Sequence, residues 1–195
     1  RFWDRLVVIE DGPERTANLV PGDAIHVCWA DYERLLGRHA WIISRRDSAC
    51  RCLGFLIAAA MGVEYTITLD DDVAPYPGQE HLLGQHICPL PRFQGLVPGL
   101  RTRGLPYGNT YLPYDVRPAI SVGLWCGYPD YDAIQSLASP PPPGWKPPLE
   151  GRWRLPEDTF APISGMNLGF AAIALPLLYF PLMGEGQPYR RFDDV

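Results

Sequence analysis

The sequence predicts an α/β domain with a mostly parallel central sheet flanked by helices. Three observations carry that expectation. Leu6-Val7-Val8-Ile9 is a short continuous apolar run, the pattern of a strand buried on both faces. A well-marked helical stretch, Ser44 to Met61, is followed at once by the β-branched run Glu64–Leu69. Strand, helix and strand in that order make a right-handed βαβ unit. That last run then stops in three adjacent carboxylates, Asp70-Asp71-Asp72, where a parallel sheet presents its ligand-binding edge.

The chain has 195 residues, enough to bury one core, and is expected to form a single domain. An apolar fraction of 47% suits a globular protein, and a net charge of −5 argues against generic nucleic-acid binding. No apolar run is long enough for a membrane span; the nearest, Ile163 to Met183, is punctuated by Pro176, Pro181 and glycines. The five cysteines, Cys28, Cys50, Cys52, Cys88 and Cys126, form no CxxC pair and leave one over. That usage reads as reduced thiols of a cytosolic protein rather than a secreted disulfide scaffold. The chain opens at Arg1 and closes at Val195 after an acidic pair, so it reads as an excerpt from a longer protein.

Taken in order, the first strand ends in Glu10-Asp11-Gly12-Pro13. Asp11 there is either a turn former or a ligand-binding acid at the carboxyl edge. Ala24–Trp29 reads as a second strand, and Asp31 can cap a short helix through Leu36 that Gly37 stops. Ala40–Ile43 is a short strand or a loop. The long helix of Ser44–Met61 is capped by Asp47 or Ser48, buries Cys50, Leu53, Leu56, Ile57 and Ala60, and ends at Gly62. Arg45, Arg46 and Arg51 fall in its first turns, where the macrodipole disfavours cations. They form a solvated basic face, or they pair with acids or a phosphate.

Beyond the triplet, Gln79–Ile87 suits a short helix; His81 and His86 within it do not share a face and make no metal pair. Pro89 to Pro118, rich in Pro, Gly and Tyr, reads as an ordered active-site loop region. Ala119–Cys126 and Ile163–Phe170 read as strands and Pro176–Met183 as a short helix. Residues 139–149 hold a proline-rich surface insert of polyproline II character.

Three neighbouring acids repel one another, and a divalent cation is one reason to keep them together. On an extended chain Asp70 and Asp72 point to one side and Asp71 to the other. That spacing can hold Mn²⁺ or Mg²⁺ against a nucleotide diphosphate. A strand running into an acidic surface turn would give the same string.

Several strings are more specific. They are Trp3-Asp4-Arg5-Leu6-Val7-Val8-Ile9-Glu10-Asp11-Gly12, Asp47-Ser48-Ala49-Cys50-Arg51-Cys52, Asp70-Asp71-Asp72, Gly123-Leu124-Trp125, Pro129-Asp130-Tyr131-Asp132-Ala133, and Gly165-Met166-Asn167-Leu168. Tyr179-Phe180-Pro181-Leu182-Met183-Gly184-Glu185-Gly186-Gln187-Pro188 and Arg191-Phe192-Asp193-Asp194 follow. In this order they resemble the reversibly glycosylated polypeptides, the UDP-arabinopyranose mutase family. The match covers nearly the whole chain and breaks down between about Pro89 and Pro118 and around the proline run.

The resemblance implies a glycosyltransferase-A-like, nucleotide-sugar-binding fold, of which this excerpt lacks the first strand. It also implies a cytosolic enzyme that acts on UDP-sugars with Mn²⁺ or Mg²⁺ and no flavin, becomes glycosylated on an arginine, and assembles into homo-oligomers. Asp70, Asp71 and Asp72 match the family's acidic motif, with Asp70 and Asp72 on the metal. Arg103, in Arg103-Gly104-Leu105-Pro106-Tyr107, resembles the second of two functional arginines. Leu96 stands where the first, glycosylated one is expected, with Arg92 and Arg101 as candidate substitutes. That departure leaves room for a transferase acting on an external acceptor, or for a non-catalytic nucleotide-sugar-binding subunit. Within such a site Arg46, Arg51 and Arg103 would clamp phosphate. Asp11 would meet uracil or ribose. Asp193 or Asp194 would act as base or stabilising carboxylate at the anomeric carbon, unless they ligate a second metal or cap a helix.

Overall fold

The computed structural model describes residues 4–18, 20–74, 84, 86, 101–102, 105–106, 119–123, 127, 133–146 and 165–178. Two compact units make up the chain, Arg1–Thr68 with Phe170–Asp194, and Leu69–Gly169 with Val195.

In the first unit, β1 (Val7–Ile9) and β2 (Ile25–Val27) pair in parallel, with Val7 opposite Ile25 and Ile9 opposite Val27. Helix α1 (Trp29–Leu36) follows β2. Asp31 does not cap it from outside. It sits one turn in, and its Oδ2 accepts the backbone N–H of Cys28 at 3.1 Å, the inner half of a capping box. Gly37, at φ 55, ends the helix in a left-handed conformation as expected. Residues Gly37–Ile42 then form a 3₁₀ helix, neither the strand nor the loop expected there.

Helix α2 spans Cys50–Ala60 and closes before Gly62, at φ 65. Its start lies well inside the expected Ser44–Met61. The reason is local: Ser44 Oγ donates to Asp47, Asp47 Oδ1 accepts the N–H of Ala49 at 3.0 Å, and Arg46 adopts φ 65. These side-chain bonds offer the backbone an alternative to the helix. Arg45 and Arg46 therefore precede the helix, and Arg51 alone of the three stands in its first turn.

α2 brings Cys52 and Leu53 into a buried cluster with Val27, Tyr32 and Ile43, and Ile9, Trp29 and Ile57 pack around it. Phe55 meets Phe170 edge-on, with centroids 5.0 Å apart and planes at 89°. Such a pair adds about 1 kcal/mol beyond its burial. Asp31, 7% exposed, is held by Arg34 at 2.8 Å and Arg15 at 2.6 Å, and Arg15 Nε also donates to the carbonyl of His26. Those charges and the Cys28 N–H keep its carboxyl low, at about 2.

Strand β3 (Tyr65–Leu69) begins in the first unit and β7 (Asn167–Ala171) ends there; the unit boundary falls inside both strands. Strand order in their sheet is β3-β7-β6, with β6 at Ile120–Val122. Ala172 donates to Glu64 at one end of the β3–β7 ladder and Asp70 to Met166 at the other, so these two strands run antiparallel. The sheet structure of the described residues is thus mixed: β1 and β2 pair in parallel and β3 and β7 antiparallel, where a mostly parallel sheet was expected.

The rest of the second unit contributes the antiparallel pair β4 (Arg101–Thr102) and β5 (Leu105–Pro106), and α3 (Ala133–Ala138). The described part of the proline-rich insert turns back on itself. Pro142 accepts from Trp145 at 3.1 Å, and Gly127 bridges to Trp145 at 2.7 Å. A 3₁₀ helix, Ala172–Leu177, follows β7 in the first unit, earlier than the helix expected at Pro176–Met183. Gly84 and His86 are helical, as expected of Gln79–Ile87. Among the described residues no helix is long and apolar enough to cross a membrane, and Cys28, Cys50 and Cys52 form no disulfide.

Candidate functional site

At the carboxyl end of β1 the chain leaves the sheet through Glu10 and Asp11. Glu10 turns back to take the N–H groups of Thr16 and Ala17, with His26 Nε2 3.3 Å from its Oε1. Desolvation raises its pKa, but the two N–H donors and His26 outweigh burial and hold the carboxyl below its usual range. Glu10 therefore organises the β1–β2 connection.

Asp11 points elsewhere. Its Oδ1 accepts the indole N–H of Trp29 at 2.7 Å and the backbone N–H of Arg46 at 2.9 Å. Three segments meet at that one oxygen: the end of β1, the first residue of α1, and the loop before α2. Oδ2 of Asp11 has no hydrogen-bond partner among the described residues. It is free to accept from an imide N–H or a ribose hydroxyl, the role expected of it.

Around Asp11 stand cations and an aromatic face. The Arg45 guanidinium lies 5.5 Å from the Trp29 ring centroid and 5.8 Å from that of Tyr32, and the Arg46 guanidinium lies 5.9 Å from Trp29. These are cation–π distances. Arg51 follows in the first turn of α2, next to Cys50. Burial, and then the Asp11 carboxylate, push the Cys50 thiol up to about 12, so it is not a nucleophile at neutral pH. Burial likewise raises Tyr32. The edge thus combines a fixed carboxylate, a half-buried indole and guanidinium groups, a donor and acceptor set suited to a nucleotide.

The acidic triplet belongs to the second unit. Asp70 is half-buried, directly after β3, and its N–H donates to the carbonyl of Met166 at 3.3 Å. Asp71 and Asp72 are exposed and lie in a turn. The strand ends at Leu69, so the alternation that would put Asp70 and Asp72 on one side does not extend through the triplet. Among the described residues no group of three or more His, Cys, Asp or Glu converges to hold a metal ion. The donors are nonetheless carboxylate oxygens, and Mg²⁺ is commonly held by one or two carboxylates with phosphate and water completing its shell. The triplet fits that kind of site and not a closed protein cage.

Beside it is a cluster that sequence reasoning set aside. His86, 3% exposed, places Nδ1 3.0 Å from Ser121 Oγ and Nε2 2.9 Å from Asn167 Oδ1. The sequence flagged Asn167 only as part of a family string and weighed His86 only as a metal ligand. Trp29 was also missed as a site residue, and Arg45 was weighed only as a partner for acids or a phosphate; a tryptophan just after a strand at its carboxyl edge was the available signal. Arg103, Asp193, Asp194 and Leu96 lie outside the described residues.

Residues 100–195 match a family described as "Reversibly glycosylated polypeptide". The chain is 35% identical to "Probable UDP-arabinopyranose mutase 2" of Solanum tuberosum over 97% of its own length and 55% of that protein. It is 34% identical to "UDP-arabinopyranose mutase 1" and 36% to "UDP-arabinopyranose mutase 3" of Arabidopsis thaliana, again over 97% of this chain and 56% of each relative. The chain therefore spans little more than half the length of the curated relatives it matches.

Proposed function

We propose that the chain, which is similar over residues 100–195 to the reversibly glycosylated polypeptide family, belongs to that family and forms the nucleotide-sugar-binding part of an enzyme that interconverts the ring forms of a UDP-pentose. The observation that carries the proposal is the similarity to proteins named UDP-arabinopyranose mutase across 97% of the chain. The Asp11 edge is compatible with it: Oδ2 of Asp11 would receive uracil or ribose, and Arg46 and Arg51 would meet phosphate. Arg103 would supply a further guanidinium, and Asp193 or Asp194 a carboxylate at the sugar.

In this reading the anomeric C–O bond breaks with its electron pair going to the β-phosphate oxygen. The C4 hydroxyl oxygen bonds to the anomeric carbon and gives up its proton. The bond from that carbon to the old ring oxygen breaks, and that oxygen takes up a proton. The β-phosphate oxygen of UDP then bonds to the anomeric carbon again, without a flavin. A divalent ion held by Asp70 and Asp72, with Asp71 nearby, would act as a Lewis acid toward the diphosphate. Arg46 and Arg51 would offset phosphate charge through bidentate hydrogen bonds. Glycosylation of an arginine and self-assembly belong to the same proposal; the mass of the protein after incubation with a UDP-sugar, and its mass in solution, test them.

Turnover of a UDP-sugar panel with Mn²⁺, comparing wild type with Asp72→Ala, tests the function. The expected result is conversion of UDP-arabinopyranose without acceptor and without net UDP release, lost in the variant. UDP release that depends on an added acceptor would identify a transferase instead. Equal turnover in wild type and Asp72→Ala would remove the metal assignment.

A further inference from the structure

We propose that the side-chain amide of Asn167 donates hydrogen bonds to a hydroxyl of the sugar in the bound UDP-sugar, and that His86 is the positioning residue that turns the amide that way. The inference rests on the UDP-sugar reading above and adds a sugar contact to it.

The geometry begins with the imidazole. Both ring nitrogens of His86 are engaged, Nδ1 with Ser121 and Nε2 with Asn167. When the Ser121 hydroxyl donates to Nδ1, Nε2 carries the ring proton and donates to Asn167 Oδ1. The amide carbonyl is then occupied, and the NH₂ group is the end of Asn167 left to bind something else. It has no acceptor among the described residues, and Asn167 is only half-buried.

Two glycines make room for this arrangement. A Cβ on Gly123 would come within 1.9 Å of Asn167 Nδ2, and one on Gly169 within 2.8 Å of the His86 ring. No side chain other than hydrogen fits at either position without moving the amide or the ring. Asn167 opens β7, and its neighbour Met166 accepts the N–H of Asp70. The amide and the acidic triplet thus share one edge of the second unit.

The chemistry of that edge selects a hydroxyl. A sugar hydroxyl can donate to a carboxylate and accept from an amide at the same time, which neither a phosphate oxygen nor an apolar group can do. A neutral NH₂ on the edge where β3 runs into the acidic residues is suited to that pattern, whereas phosphate draws guanidinium groups.

The test compares binding of UDP-arabinopyranose and of UDP by titration calorimetry, with Mn²⁺ present, in wild type, Asn167→Ala, His86→Ala and His86→Gln. Asn167→Ala is expected to weaken UDP-arabinopyranose by about tenfold, or about 1.4 kcal/mol, while UDP stays within about threefold of wild type. His86→Ala should show the same selective loss. His86→Gln keeps an N–H donor toward Asn167 and should recover most of it. Asn167→Asp keeps the shape and the oxygen that His86 holds and removes only the donors, so it reads the same point should the alanine variant fail to fold. Equal losses for UDP and UDP-arabinopyranose would make the pair structural and overturn the inference, as would no loss at all. A wild type that binds neither ligand would overturn the UDP-sugar reading itself.

Discussion

Arg46 donates its backbone N–H to Asp11 Oδ1 at 2.9 Å across 35 positions of sequence, and it does so from a left-handed backbone conformation, φ 65. Few residues with a Cβ accept that conformation. An arginine there costs about 1 kcal/mol relative to glycine. The chain carries the strain because the turn brings an N–H to the Asp11 carboxylate and a guanidinium to the Trp29 ring.

Arg46→Gly separates the two roles. The N–H bond to Asp11 survives and the strain is relieved, so the melting temperature should rise by about 2–4 °C. Affinity for UDP should fall, because the guanidinium is gone. Arg46→Ala keeps the strain and should lose affinity with no gain in melting temperature. Scanning calorimetry with UDP titrations reads both. A lower melting temperature in Arg46→Gly would show that the cation–π contact outweighs the backbone term.

Asp31 sets an acid limit. Arg34, the Cys28 N–H and Arg15 bring its carboxyl from an ordinary 3.8 down to about 2 in the folded protein. A depressed carboxylate contributes stability that is fully present above the unfolded value and lost as pH falls through the folded one. The window is therefore about pH 4 down to pH 2. The contribution is on the order of 1–2 kcal/mol, discounted because both arginines are partly exposed. Urea unfolding at pH 7, 4 and 2 should show Asp31→Asn less stable than wild type at pH 7, with the gap shrinking toward pH 2. Glu10, whose carboxyl is also lowered, contributes in the same direction in both proteins, so the difference isolates Asp31. A gap independent of pH would assign Asp31 a packing role instead.

Helix α2 provides a contrast between two leucines of one turn. Leu53 is 1% exposed inside the cluster of Tyr32, Ile43 and Cys52, and Leu56 is 44% exposed. Leu53→Ala should cost about 2–5 kcal/mol through lost burial and the cavity left behind. Leu56→Ala should stay within about 1 kcal/mol, since much of its side chain already meets water. Midpoints of urea denaturation, with unchanged slopes, would read the difference. The sequence had both leucines buried on one helical face. Similar costs would support that reading over the structure.

How far the fold could be read from sequence depended on range. The strands β1, β2 and β3 were legible because apolar and β-branched runs encode burial locally. The ends of α1 and α2 were legible because Gly37 and Gly62 each take a left-handed conformation just past a helix. The start of α2 was not, because Ser44–Asp47 hydrogen bonding and the Arg46 backbone replace a helical turn with no proline or glycine to announce it. At the site, Asp11 was legible from its place after a strand. Its clamp was not, since Trp29 and Arg46 reach it from 18 and 35 positions away. The His86 cluster joins residues 35 and 81 positions apart, and no local periodicity reports such a meeting.

Gly123 supplies a test of that meeting which does not depend on any ligand. A methyl group there would fall 1.9 Å from Asn167 Nδ2 and 2.5 Å from its Cγ, well inside contact distance. Gly123→Ala should therefore cost about 1–3 kcal/mol, the range for overpacking. Asn167→Ala should also destabilise, because it removes the oxygen that lies 2.9 Å from the buried His86 Nε2. The two losses should not add. Once the amide is gone, the new methyl has nothing to strike, so the double variant should be more stable than the sum of the singles predicts by about 1 kcal/mol or more. A double-mutant cycle from urea denaturation measures that coupling. Additive losses would mean that the Asn167 side chain does not lie over Gly123, and the fixed orientation of its amide would go with it.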